Sequence, residues 1–144
     1  ACDLWKEKRA PIEKGKAEVL CEGTDVALFA IGSMVETAWK VMEKLQERGI
    51  SATVVNARFA APLDKECICS LAQKHRLLVT LEENVASGGM GEHVAALLMD
   101  EQIRMKLLRI AVPDTFVEHG DVDTLYRVLG MDADTVTNRI CEGL

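Results

Sequence analysis

Apolar positions along the chain switch repeatedly between a period of two or an unbroken run and a period of about 3.6. "AEVLCEGTDVALFAIG" predicts two strands, 17–21 and 25–31, joined by a tight turn at Glu22, Gly23 and Thr24. The second strand is apolar nearly throughout, as a central strand covered on both faces should be. In "SMVETAWKVMEKLQERG" the period changes: Val35, Ala38, Met42 and Leu45 form one helical stripe. Ser33 with Glu36 three residues on reads as a capping box, and Gly49 stands where the residue after a helix takes a left-handed backbone. "ISATVVNA" is a β-branched strand, followed by "RFAAPLD" and a helix from about Asp64 to Lys74 with Asp64 as N-cap.

"RLLVTLEE" is a further strand, a glycine-rich turn leads into a helix over 90–100, and "KLLRIAV" is the next strand. The tail reads as two short helices broken at Gly130, the second capped by Asp132 or Asp134. Strands alternating with helices imply parallel pairing through right-handed crossovers, hence an α/β fold. At 144 residues there is room for one domain. The polar, Lys-rich residues 1–14 read as a linker from upstream domains, and 15–144 as the domain.

Charge and composition remove several function classes. Seventeen Lys and Arg against 23 Asp and Glu give a net charge of −6, which repels nucleic acid. The longest apolar run, "VALFAI", is far short of the roughly 20 residues that cross a bilayer, and no leader pattern opens the chain, so a cytoplasmic location is expected. Of the five cysteines, Cys67 and Cys69 fall on a predicted helix about 200° apart and cannot share a metal; reduced thiols are expected.

Strand-to-helix loops at the carboxyl ends of parallel strands are where α/β sheets place ligands, which singles out "EENVASGGMGEHV". A phosphate cradle needs free backbone N–H groups and a nearby cation. Here Glu82, Glu83 and Glu92 surround the glycines and neither phosphate-loop pattern is present. Glu82 and Glu83 point to opposite faces of their strand, so they cannot act together on one atom. One is expected to face a ligand or partner, and the other to be solvated or paired with an Arg. Gly88, Gly89 and Gly91 allow positive φ and close backbone approach at a corner. His75, His93 and His119 lack metal-ligand spacing, and no nucleophile elbow occurs. Asp114 and His119 lie in a loop after the last strand.

"GTDVALFAIGSMVETAWKVMEKLQERGISATVVNARFAAPLD", "LLVTLEENVASGGMGEHV" and "VPDTFVEHG", in this order, resemble the transketolase C-terminal domain family, in the version found in 1-deoxy-D-xylulose-5-phosphate synthases. The resemblance runs from Pro11 to Leu144. Asn56 and Ala61 stand where that version often has Asp and Lys. It implies a three-layer domain: about five strands, mostly parallel with one antiparallel edge strand, and helices on both faces. It also implies a transferase that needs thiamine diphosphate and Mg²⁺ and condenses pyruvate with glyceraldehyde 3-phosphate, releasing CO₂. Cofactor and catalytic groups would lie in missing N-terminal and central domains of a homodimeric enzyme. This chain has no G-D-G motif and no catalytic, cofactor-binding or metal-binding residue is assigned to it, so alone it is expected to be inert and cofactor-free. The candidate interface or ligand edge is Arg58, Glu82, Glu83, Asn84, Gly88, Gly89, Gly91, Asp114 and His119. Other readings of the same residues are the corresponding domain of a transketolase or a 2-oxo acid dehydrogenase E1 β subunit, and a free-standing module that binds a small ligand at that edge.

Overall fold

The computed structural model describes residues 11–144; of the predicted linker 1–14, all but its last four residues lie outside them, as does Cys2. In chain order the elements are β1 (Glu18–Cys21), β2 (Val26–Ala30), α1 (Met34–Glu47), β3 (Ala52–Asn56), α2 (Lys65–Lys74), β4 (Leu77–Val85), α3 (Met90–Asp100), β5 (Lys106–Val112), α4 (Val122–Leu129) and α5 (Ala133–Gly143). The five strands form one sheet in the order β1-β3-β2-β4-β5. All pairs are parallel except β1 with β3, so the predicted three-layer α/β architecture with one antiparallel edge strand is what the chain adopts.

Every residue of β2 is buried because both of its faces are covered. Val26, Leu28 and Ala30 meet one apolar layer with α1 and α5, while Ala27 and Phe29 meet a second with α2 and α3. Period-two alternation therefore divides a uniformly apolar strand between two cores. On α1 the stripe Val35, Ala38, Met42 and Leu45 lies in the first core as its spacing predicts. Gly49 closes the helix with φ +75°.

Two local features are decided by non-local contacts. β1 and β2 are consecutive and separated by a turn, yet they do not form a hairpin: β1 pairs with β3, and the chain crosses to β2 on the other side of β3. Gly23 makes that crossing possible. A Cβ there would lie 2.4 to 2.6 Å from the backbone atoms of Ala52, so only glycine lets the turn lie against the start of β3. The capping box is also absent. The Ser33 side chain makes no cap bond but lies 3.3 Å from the Tyr126 hydroxyl, and Glu36 pairs with Lys40 at 2.9 Å.

Asp64 behaves as read and does more. Its Oδ1 accepts from the Cys67 backbone N–H at 3.0 Å, capping α2, and its Oδ2 accepts from the Ala17 N–H at 2.9 Å, tying the chain's entry to that helix. Asp132 is the cap of α5, accepting from the N–H groups of Asp134 and Thr135. His75 is structural: Nδ1–H donates to the Leu71 carbonyl at 2.9 Å, and Nε2 meets the Thr53 hydroxyl at 2.8 Å. It thus clips the end of α2 to β3.

On α2 the half-buried Cys67 has its thiol pushed up to about 11, first by burial and then by the negative charge of Asp64. Only thiolate reacts with alkylating agents. At pH 8 Cys67 should therefore label about a hundredfold more slowly than an unperturbed thiol, and faster as pH rises toward 11. Peptide mapping after iodoacetamide treatment would show this, and labelling of Cys67 at the rate of a model thiol would contradict it.

Candidate functional site

The candidate edge lies at the carboxyl ends of β3, β4 and β5. β2 separates β3 from β4, so these two ends are about 10 Å apart. Arg58, just past β3, takes a left-handed backbone (φ +57°), its N–H donating to Asn56 Oδ1 at 3.0 Å. Its guanidinium bonds Glu18 Oε2 at 2.6 Å on β1, which lies on the far side of β3 from β4. Arg58 thus serves the β1 edge, and the structure does not engage it with the glutamates of β4.

At the end of β4 the two carboxylates do point to opposite faces. Glu82 is only 2% exposed. Its Oε2 accepts from the Met90 N–H and its Oε1 from the Gly91 N–H, both at 2.7 Å. The N-cap residue of α3 is Gly89, which has no side chain to cap with. Glu82 supplies that cap from the strand below, and its charge lies at the positive end of the helix dipole. Charge-assisted bonds of this length are among the stronger ones in proteins.

The glycines follow from the same geometry. A Cβ on Gly89 would fall 2.7 Å from both Glu82 carboxylate oxygens and 2.5 Å from the Val85 carbonyl. One on Gly91 would fall 2.6 Å from Thr80 Oγ1, so the first turn of α3 can lie directly on β4. Gly88 has φ +74°, and its N–H donates to Glu92 Oε2 at 2.7 Å. Three N–H groups of the corner are thereby committed to carboxylates of the chain itself.

Glu83 is exposed and receives a hydrogen bond from the Tyr126 hydroxyl on α4. That phenol is raised above its ordinary value, mainly by partial burial and by the Glu83 bond. Glu83 is solvated, one of the two outcomes expected for the second carboxylate, and is also latched by Tyr126, whereas Glu82 caps a helix instead of facing a ligand. Asn84 is exposed, with Oδ1 accepting from the Val85 N–H. Asp114 and His119 are exposed in the β5–α4 loop. The loop starts beside the corner, where the Ala86 N–H donates to the Val112 carbonyl at 2.8 Å.

Residues 15–136 match the model for the transketolase C-terminal domain. The chain belongs to the transketolase C-terminal domain family. Two curated relatives of this domain are named 1-deoxy-D-xylulose-5-phosphate synthase. That of Lachnoclostridium phytofermentans is 45% identical over 137 residues, which cover 94% of this chain and 22% of the relative. That of Synechococcus sp. (strain JA-3-3Ab) is 48% identical over 137 residues, 95% of this chain and 21% of the relative. The chain thus spans about a fifth of the length of the curated relatives it matches. A solved structure described as a split-gene transketolase, inactive β4 tetramer, superimposes with a TM-score of 0.84 at 31% identity, covering 94% of this chain and 43% of that one.

A diphosphate does not fit the glycine corner of this family domain. The N–H donors at the head of α3 are already bonded to Glu82, and Glu82, Glu83 and Glu92 supply negative charge where a diphosphate needs cations. Among the described residues no three His, Cys, Asp or Glu side chains converge as metal ligands. The sequence reading missed Tyr126 and Phe116. A usable signal was the spacing of Val122, Leu125, Tyr126 and Leu129 on α4, an apolar stripe on a helix that buries none of its residues.

Proposed function

We propose that this chain is the C-terminal domain of a thiamine-diphosphate- and Mg²⁺-dependent 1-deoxy-D-xylulose-5-phosphate synthase, a cytoplasmic transferase. That enzyme joins pyruvate to glyceraldehyde 3-phosphate with loss of CO₂. The observation that carries the reading is identity of 45% and 48% to enzymes of that name across nearly the whole chain. In this reading the thiamine diphosphate supplies the carbanion chemistry and is held by the other domains of the polypeptide. The chain packs on those domains through the carboxyl edge of β4 and β5 and extends a homodimer.

Its own residues set the shape of that edge. Glu82 fixes the start of α3, Gly89 and Gly91 let the helix lie close to β4, and the Glu83–Tyr126 bond positions α4. None of these groups is assigned a proton transfer.

The test is an exchange. Replacing the matched region of the Lachnoclostridium phytofermentans enzyme with residues 15–144 should leave pyruvate-dependent CO₂ release within about tenfold of the parent, since an assembly role touches no reacting atom. A stable, folded hybrid with no turnover would overturn the reading.

A further inference from the structure

Phe116 is 94% exposed on the β5–α4 loop. On α4, Val122 and Val128 are 59% and 76% exposed, and at the end of β4 Val85 is 41% exposed. Of the seven large apolar side chains exposed among the described residues, these four stand on one end of β4 and the segment 113–129 that follows β5. α4 is also held in place by polar contacts, the Tyr126 hydroxyl meeting Glu83 and Ser33. A large aromatic presented this way on an anchored segment marks a contact surface rather than a stray exposed side chain.

The charges around it select the occupant. Within 113–129 there are four carboxylates, Asp114, Glu118, Asp121 and Asp123, against the single cation Arg127. A second copy docking face to face would set these acids against each other, and an anionic membrane would repel them. We infer that this segment is an acid-rimmed apolar knob whose occupant is a pocket ringed by Lys and Arg on the part of the synthase polypeptide outside the region this chain matches. The inference rests on the function proposed above and adds the chemistry of the partner surface. Phe116 fills the pocket, and Asp114 and Glu118 face its cationic rim.

The experiment joins this chain to the remaining part of the Lachnoclostridium phytofermentans synthase in one polypeptide. It compares amide hydrogen exchange over 113–129 in that protein and in the 144-residue chain alone. In the joined protein these amides should exchange about tenfold or more slowly than in the isolated chain. Phe116→Ala should remove most of that protection. The double change Asp114→Lys, Glu118→Lys should remove part of it, with an effect that shrinks as salt rises. Both variants alter exposed side chains, and unchanged protection in β2 would show that they fold.

A joined protein that turns over pyruvate while 113–129 exchanges as in the isolated chain would overturn the inference and leave the proposed function standing. So would protection indifferent to the charge reversal. Protection in the isolated chain that appears with a dimer and is abolished by Phe116→Ala would assign the knob to a second copy and equally overturn it. A joined protein without pyruvate turnover and without protection would overturn both.

Discussion

Replacing Glu82 by Ala should lower the unfolding free energy by about 3–5 kcal/mol, whereas Glu83→Ala, one residue on, should change it by about 1 kcal/mol or less. The difference comes from what each carboxylate does. Without Glu82 the buried N–H groups of Met90 and Gly91 lose their acceptor, and a void opens beneath α3. Orphaned buried donors carry the full desolvation penalty, and Gly89 offers no side chain in replacement. Glu82→Gln keeps the volume but presents an amide NH₂ to one of the two donors. It should fall between the two, near 2 kcal/mol. Glu83 loses a bond that faces solvent, so its removal should loosen α4 more than the fold. Urea midpoints of the three variants at unchanged slope would measure this. Equal effects of Glu82→Ala and Glu83→Ala would refute the cap.

Gly23→Ala should be the other severe change, at about 2–3 kcal/mol, because its Cβ would enter the backbone of Ala52 rather than a side chain that can swing away. The turn is also pinned by a hydrogen bond from the Gly23 N–H to Thr53 Oγ1 at 2.8 Å, so it cannot retreat without breaking that contact. The expected outcome is displacement of β1 from β3 with the parallel core intact. Early hydrogen exchange at 18–21, with β2 and β4 still protected, would reveal it. A Gly23→Ala protein as stable as the parent would mean that the crossing past β3 has slack the distances do not show.

The two glycine-adjacent sites also mark where sequence reading works and where it stops. The α/β alternation, the central place of β2 and the stops at Gly49 and Gly130 were legible because each is set by residues within a few positions of one another. The partner of β1 was not legible from the turn that follows it, because the turn packs through Gly23 against Ala52, 29 positions away. Ser33 was misread as a cap because its hydroxyl meets Tyr126, 93 positions away. At the candidate site, the opposed directions of Glu82 and Glu83 followed from strand geometry alone. Their partners did not, although one clue was present: α3 begins at a glycine, so some distant acceptor had to satisfy its first N–H groups.

We propose that this chain shapes an enzyme whose chemistry is performed by the other domains of the polypeptide. The most direct measurement is pyruvate-dependent CO₂ release, with thiamine diphosphate, Mg²⁺ and glyceraldehyde 3-phosphate supplied, by the 144-residue chain alone and by the same chain joined to the rest of the synthase. No release above background is expected from the chain alone, and sustained release is expected from the joined protein. Turnover by the isolated chain would contradict the proposal.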